Sequence, residues 1–240
     1  MCVFINTRIV NMFCNQCEQT TRSATGIGCS IKGECANPSQ NCFCIAAGYS
    51  PEADKGFDLA WSELSDGFVV QAGSEKGQAI IDALNLIDAE QSQCDLAQQA
   101  IDAGKAKQTR QIPSAAVLQQ TPNNDHPAWD KASEQCISCG SCTQVCPTCF
   151  CSRNMDLPAM DGEGYEQVRM WDSCFSDEHG YTHGHSYRQG TKAHYQQWLN
   201  HKFSWWQNQF DTSGCVGCGR CLSWCPQKID HTDILSQLHE

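Results

Sequence analysis

Several features that mark other protein classes are missing from this chain of 240 residues. It has no run of 18 or more apolar residues, so we expect no transmembrane helix. It has no G-x-G-x-x-G turn, phosphate-binding loop or flavin fingerprint, which argues against a nucleotide or flavin held by this chain. Basic residues are scarce, 16 Lys and Arg against 27 Asp and Glu, and the formal charge is −11. Such a balance argues against binding to nucleic acid or to anionic membranes.

A secretory signal is also missing, because the short apolar stretch at the start has no small-residue cleavage site after it. Cysteine, in contrast, is abundant at 19 residues. These observations predict a protein of the bacterial or archaeal cytoplasm, a reducing compartment in which cysteines bind metal as thiolates. Hydrophobic residues make up only 40 % of the chain, so we expect metal clusters to replace part of the apolar core.

Eight of the cysteines lie in two runs of identical spacing, Cys136-Ile-Ser-Cys139-Gly-Ser-Cys142-Thr-Gln-Val-Cys146-Pro147 and Cys215-Val-Gly-Cys218-Gly-Arg-Cys221-Leu-Ser-Trp-Cys225-Pro226. Both have the form C-x2-C-x2-C-x3-C-P, which is typical of bacterial iron–sulfur proteins. Gly140 and Gly219 relieve crowding where the backbone must turn tightly. In such proteins the fourth cysteine of each run binds the other cluster. The runs therefore predict two [4Fe-4S] clusters with crossed ligation, one held by Cys136, Cys139, Cys142 and Cys225, the other by Cys215, Cys218, Cys221 and Cys146.

Disulfides and zinc are the alternative interpretations of these eight cysteines. Two identical runs are rarely a disulfide framework, and zinc sites usually take two C-x2-C pairs instead. Iron–sulfur ligation is therefore the better interpretation.

The rest of the pattern predicts a mainly α fold with an irregular, cysteine-rich N-terminal region. A short strand is expected at 67–73, followed by a helix capped by Ser74 and a second helix ending near 107. The 68 residues between the two runs suit a helical ferredoxin arrangement. We therefore divide the chain into 1–11, an extension of doubtful role; 12–72, the cysteine-rich region; 73–125, a helical segment and linker; and 126–240, a helical dicluster ferredoxin domain.

Residues 12–35 contain Met12-Phe-Cys14, Cys17, Gly28-Cys29 and Gly33-Glu-Cys35. This segment resembles the N-terminal cysteine motif of hybrid cluster proteins, whose chains open with Met-Phe-Cys. The resemblance implies an iron–sulfur cluster held by Cys14, Cys17, Cys29 and Cys35. It covers about two dozen residues and implies no reductase activity.

From residue 37 onward the chain is similar to a family of iron–sulfur electron-transfer subunits, which includes the beta subunit of sulfhydrogenases and the corresponding iron–sulfur subunit of anaerobic sulfite reductase. The motifs that carry the similarity are Gln40-Asn-Cys42-Phe-Cys44, Gly56-Phe-Asp-Leu-Ala60, Gly73-Ser-Glu-Lys-Gly77, His126-Pro-Ala-Trp129, Val145-Cys-Pro-Thr-Cys-Phe-Cys151, Trp171-Asp-Ser-Cys174, Gly184-His-Ser-Tyr-Arg188, His201-Lys-Phe203 and both cysteine runs. The similarity implies an anaerobic, cytoplasmic electron relay between a flavin- and NAD(P)H-binding or ferredoxin partner and a catalytic redox subunit. Family members have a longer region before Cys-Phe-Cys, which this sequence replaces with the hybrid-cluster-like segment.

The remaining cysteines predict up to two further clusters. Four of Cys42, Cys44, Cys149, Cys151 and Cys174 are expected to hold a third cluster, and the set at 14–35 a fourth. The alternatives are that Cys35 joins the third cluster, or that several of these residues are buried thiols that behave as small hydrophobes. Five histidines between the runs are expected to donate hydrogen bonds to cluster sulfurs, with iron ligation as the alternative: His179, His183, His185, His194 and His201.

The function predicted from these features is single-electron transfer by a subunit that has no catalytic site of its own. One alternative is a stand-alone oxidoreductase, in which an open iron site reduces a small nitrogen or sulfur compound. Another is an iron–sulfur sensor or assembly protein with labile clusters.

Overall fold

The structure is a computed structural model that describes residues 2–6, 29–84 and 86–240. Contacts divide the chain into two compact units, one comprising residues 1–40 and 50–109 and the other residues 41–49 and 110–240. The four regions predicted from the sequence rest on motifs rather than on contacts, and their boundaries stay a prediction. Within the described ranges, no helix has both the length and the apolar character needed to cross a membrane.

The first unit is built on a five-stranded sheet of order β2-β3-β4-β1-β5. Its strands are β1 (Cys2–Asn6), β2 (Ile31–Gly33), β3 (Leu59–Glu63), β4 (Gly67–Ala72) and β5 (Ile87–Asp88). Only β2 and β3 are parallel, and the other neighbours are antiparallel.

The first unit also has two helices, one on each side of β5 in the chain. Helix α1 (Glu75–Ala83) begins after Ser74, whose hydroxyl accepts a hydrogen bond from the Gly77 N–H at 3.1 Å. Helix α2 (Gln91–Ala106) begins with a capping box between Glu90 and Gln93. The strand predicted at 67–73 and both predicted helices are therefore present. The apolar face of α1 forms one core with the sheet, made of Val3, Leu59, Val70, Ile80 and Ile81.

Strand β1 has a structural role that the sequence does not predict. It lies between β4 and β5 and pairs with β4 over residues 2–6. Val3 is 2 % exposed and belongs to the core. A strand with a neighbour on each side holds the sheet together, whereas the sequence pattern indicates only an extension of doubtful role at residues 1–11.

The second unit combines helices with two β-hairpins. Its helices are α3 (Ala115–Leu118), α4 (Pro127–Gln135), α5 (Ser141–Gln144), α6 (Gly190–Asn200), a π-helical segment (His201–Trp205), α7 (Trp206–Phe210), α8 (Arg220–Trp224) and α9 (His231–Leu238). Strands β6 (Ser152–Pro158) and β7 (Tyr165–Trp171) form one hairpin, and β8 (Tyr181–Thr182) and β9 (His185–Ser186) form the other. Its core includes Trp129, Tyr195, Trp198, Leu199 and Leu235.

The prediction of a mainly α fold is wrong. The described residues form three sheets, including the five-stranded mixed sheet of the first unit. Strands β6 and β7 are mostly exposed, so their sequences lack the apolar alternation by which a half-buried strand is recognised. The helical expectation fits helices α1 and α2 of the first unit and the core of the second unit around the two cysteine runs.

The position of β1 in the sheet yields a prediction about Val3. We expect Val3→Ala to destabilise the first unit by about 1–3 kcal/mol, since it removes buried methyl groups from a packed core. In a chain of this size that change lowers Tm by roughly 2–4 °C per kcal/mol in an anaerobic thermal melt. Ile87→Ala, on the neighbouring strand, is the control, because Ile87 is 77 % exposed. An unchanged Tm for Val3→Ala would show that β1 does not hold the sheet.

Candidate functional site

The two cysteine runs fold into loops of the same shape. Ser138 and Gly140 in the first loop have φ of 53° and 71°, and Gly217 and Gly219 in the second have 65° and 67°. These left-handed residues turn the chain back toward each loop's centre. In both loops the second residue after the first cysteine donates its N–H to that cysteine's Sγ, at 3.4 Å. Helices α5 and α8 begin directly after the two turns.

The four cysteines predicted to hold the first cluster line one cavity, namely Cys136, Cys139, Cys142 and Cys225. The other side chains at its wall are mainly apolar, and none of the described residues that line it is Asp, Glu, Lys or Arg. Phe175 and Tyr195 lie at this wall together with Ile229 and His231. Four thiols around a small apolar space are a donor set that fits a [4Fe-4S] cluster.

The four cysteines predicted to hold the second cluster line a neighbouring cavity, namely Cys146, Cys215, Cys218 and Cys221. Cys142 and His231 line both cavities, so the two predicted sites are adjacent. Within the described part of the chain, Lys202 is the only Asp, Glu, Lys or Arg at the wall of the second cavity.

The Cys-Phe-Cys segment covers the second loop. The Phe43 N–H donates to the Gly217 carbonyl at 2.8 Å, and the Cys42 thiol lies 3.6 Å from the Cys218 carbonyl. A side chain at Gly217 would meet the backbone of Cys44, and one at Gly219 would meet that of Asn41. Glycine is thus required at both positions by close packing as well as by positive φ.

A third cavity contains Cys149, Cys151 and Cys174. The sulfurs of Cys151 and Cys174 are 4.0 Å apart, and these two atoms and a ring nitrogen of His179 all lie within 4.8 Å of one another. Nδ1 of His179 is 3.0 Å from Oδ2 of the buried Asp172. The structure therefore brings together three of the five cysteines proposed for the third cluster, while Cys42 and Cys44 lie against the second loop.

Burial and neighbouring charge shift the pKa values of the cysteine thiols in opposite directions. Burial raises the pKa of Cys142, raises that of Cys215 to about 11 and raises that of Cys221 to about 12. A hydrogen bond from the Cys149 thiol, aided by the Lys202 ammonium, lowers the pKa of Cys146. Buried neutral thiols must release protons to bind metal, so binding couples to pH and to folding.

Lys202 is a functional candidate that the residue pattern alone does not reveal. Its side chain is buried, and Nζ donates to the Thr148 hydroxyl at 2.9 Å and to the Gly214 carbonyl at 3.1 Å. It lines both the second and the third cavity. Burial alone would lower the pKa of Lys202, but the nearby sulfurs of Cys149 and Cys146 raise it, so the ammonium stays charged. A fixed positive charge therefore lies among ligands that are anionic when they bind metal.

The cysteines predicted for a fourth cluster are less fully described. Cys14 and Cys17 lie outside the described residues. Cys29 packs against the core of the first unit. Cys35 is exposed, and its N–H donates to the Pro51 carbonyl at 3.0 Å. The fourth cluster and its ligands stay a prediction.

The chain is similar to known iron–sulfur proteins. Residues 135–229 match the family model of a 4Fe-4S dicluster domain. The chain is 32 % identical over 219 residues to sulfhydrogenase 2 subunit beta of Pyrococcus furiosus, a match that covers 88 % of this chain. The match covers 63 % of that relative, so the chain spans less than two thirds of its length. No solved structure matches this chain with statistical significance.

The cysteine spacing, the dicluster domain and the relative agree. Residues 135–229 thus match a 4Fe-4S dicluster domain, and the chain is similar to the iron–sulfur electron-transfer subunits that include this sulfhydrogenase beta subunit.

Proposed function

We propose that this chain relays single electrons between a flavoprotein or ferredoxin partner and a catalytic redox subunit of the hydrogenase or sulfite reductase type. The observation that carries the proposal is the grouping of two complete sets of four cysteines around adjacent cavities. A [4Fe-4S] cluster in each would supply one-electron chemistry. The cytoplasmic location and the identity of both partners stay predictions.

Complete cysteine sets favour relay over reduction of a substrate. A cluster whose irons are all bound by thiolates has no open iron for a small molecule, whereas a reducing centre needs one. The chain's own contribution is to exclude water with apolar walls and to place donors at the sulfurs. The loop N–H groups of Ser138 and Gly217 are such donors. Hydrogen bonds, net charge and exposure set cluster potentials.

A third metal centre fits the cavity lined by Cys149, Cys151 and Cys174. His179 is the candidate fourth donor, because a ring nitrogen lies within 4.8 Å of the sulfurs of Cys151 and Cys174, while the ring itself does not line the cavity. With the Nδ1–H donated to the Asp172 carboxylate, Nε2 would be the nitrogen left to hold a metal. Carboxylate–histidine pairs of this kind orient metal-binding imidazoles.

The relay proposal predicts that Cys139→Ser and Cys218→Ser each lose a different cluster, because Cys139 and Cys218 line different cavities. Each change is expected to remove one cluster's EPR signal and about four irons per chain, measured anaerobically. Cys94→Ser is the control, because Cys94 lies on α2 outside both cavities. The rival oxidoreductase would instead show one cluster of the isolated, reduced chain being reoxidised by hydroxylamine or sulfite. Normal electron transfer to a viologen acceptor in the double variant would overturn the assignment.

The third centre predicts an iron content of about twelve per chain rather than about eight, or about sixteen if the fourth cluster is also present. Cys174→Ser should lower the iron content by about four per chain, because Cys174 is buried and lines the third cavity but not the other two. The signals of the other two clusters should persist in this variant. An iron content of about eight in the unaltered chain would contradict both additional clusters.

The buried charge of Lys202 predicts an effect on potential. We expect Lys202→Met to lower the reduction potential of the cluster in the second cavity, since the ammonium favours the more negative, reduced state. Lys131→Met is the control, because Lys131 is exposed on α4. EPR-monitored redox titration measures both. Equal potentials in the two variants would show that Lys202 has only a packing role.

A further inference from the structure

His231 lies where the two predicted cluster sites meet. It is the first residue of α9 and lines both cavities, as Cys142 does. Its side chain is 5 % exposed. Nδ1 of His231 is 2.6 Å from the hydroxyl of Tyr195, itself 1 % exposed. Nε2 is buried and has no hydrogen-bond partner among the described residues. A buried polar atom without a partner costs free energy, so its presence calls for a ligand atom in the cavity.

The hydrogen bond with Tyr195 determines which ring nitrogen carries the proton. Both side chains are buried, at 5 % and 1 % exposure, and burial in an apolar surrounding favours the neutral imidazole, with a single N–H, and the neutral phenol. If the phenol accepted from Nδ1–H, its own proton would lack a partner inside the core. The phenol therefore donates to Nδ1, and the ring proton lies on Nε2.

The start of α9 is held in place from a second side. The side chain of Asp230 accepts the Thr232 N–H at 3.0 Å, and Arg110 forms an ion pair with the same carboxylate. Arg110 also donates to the Thr232 hydroxyl at 3.0 Å. His231, between these two residues, is thus fixed in position by the cap on one side and by Tyr195 on the other.

The acceptor that the two cavities have in common is a sulfur, whereas the oxygens of Ser141 and Gln227 line only the first cavity and that of Thr232 only the second. The cavity walls around it are mainly apolar apart from the cysteines, and Cys142 is the cysteine that both cavities share. We propose that His231, positioned by Tyr195, donates its Nε2–H to an iron-bound sulfur at the junction of the two clusters and raises the reduction potential there. The inference rests on the two clusters of the proposed function. His231 is a positioning residue and not a ligand, because each cavity already has four cysteines.

The test is an EPR-monitored redox titration of the anaerobic, full-length chain carrying its clusters. His231→Leu removes the donor and should lower the reduction potential of an adjacent cluster by about 59 mV. For one electron this equals about a tenfold smaller equilibrium constant for reduction. His231→Gln keeps a donor group and should recover part of the loss. Tyr195→Phe should shift the same potential in the same direction, because it frees the ring proton to move to Nδ1. Lys131→Met is the control here too, since Lys131 is exposed on α4.

A second measurement does not depend on the variants folding. In the reduced chain labelled with ¹⁵N-histidine, pulsed EPR should show a weak ¹⁵N coupling and an exchangeable proton that disappears in D₂O. A strong ¹⁵N coupling that persists in His179→Gln and disappears in His231→Leu would mean direct ligation by His231 and would overturn the inference, as would unchanged potentials in His231→Leu. If the unaltered chain lacks two cubane signals, the proposed function itself fails. If both signals are present and the potentials do not move, only the role of His231 fails.

Discussion

Thiolate–metal bonding is the interaction on which the second unit depends. Its core surrounds cavities that are lined by cysteines from distant parts of the chain. Several of these thiols are half-buried. Burial raises the pKa of Cys142, Cys215 and Cys221, so without metal they are neutral thiols that fill space poorly. The free energy of cluster binding is therefore part of the free energy of folding in this unit. Trp129, Tyr195 and Leu199 supply the apolar packing that accompanies the cavities.

Placing many anionic ligands in a chain with a formal charge of −11 requires local compensation. Lys202 provides it from inside, because its ammonium stays charged between two cavities. The loop N–H groups that donate to Cys136 and Cys215 act in the same direction without a full charge. His231 adds a neutral donor where the two cavities meet. Charge, backbone donors and a side-chain donor are three separate means of adjusting cluster potentials in one small unit.

The first unit has a different physical basis. Its sheet and helix α1 share an apolar core of Val3, Leu59, Val70, Ile80 and Ile81. Within residues 1–109, only the short segment 41–49 belongs to the second unit. That segment closes over the second loop through Phe43 and Cys44, and two glycines of the loop make room for it. The described core of the first unit is thus apolar, whereas the second unit combines an apolar core with the predicted metal ligation.

The sequence by itself determined the parts of this protein that follow from local spacing. The repeated C-x2-C-x2-C-x3-C-P pattern predicts which cysteines meet, because the turn geometry is set within each run. Ser74 and the apolar periodicity likewise predict helix α1. Tertiary structure alone decided where strand β1 pairs, because its partner β4 lies some sixty residues later and pairing depends on long-range contacts. It also decided the exposed hairpin β6–β7, the separation of Cys42 and Cys44 from Cys151 and Cys174, and the place of Lys202 and His231. These features arise because distant segments pack together, and a short-range sequence pattern does not predict which distant segments will be in contact.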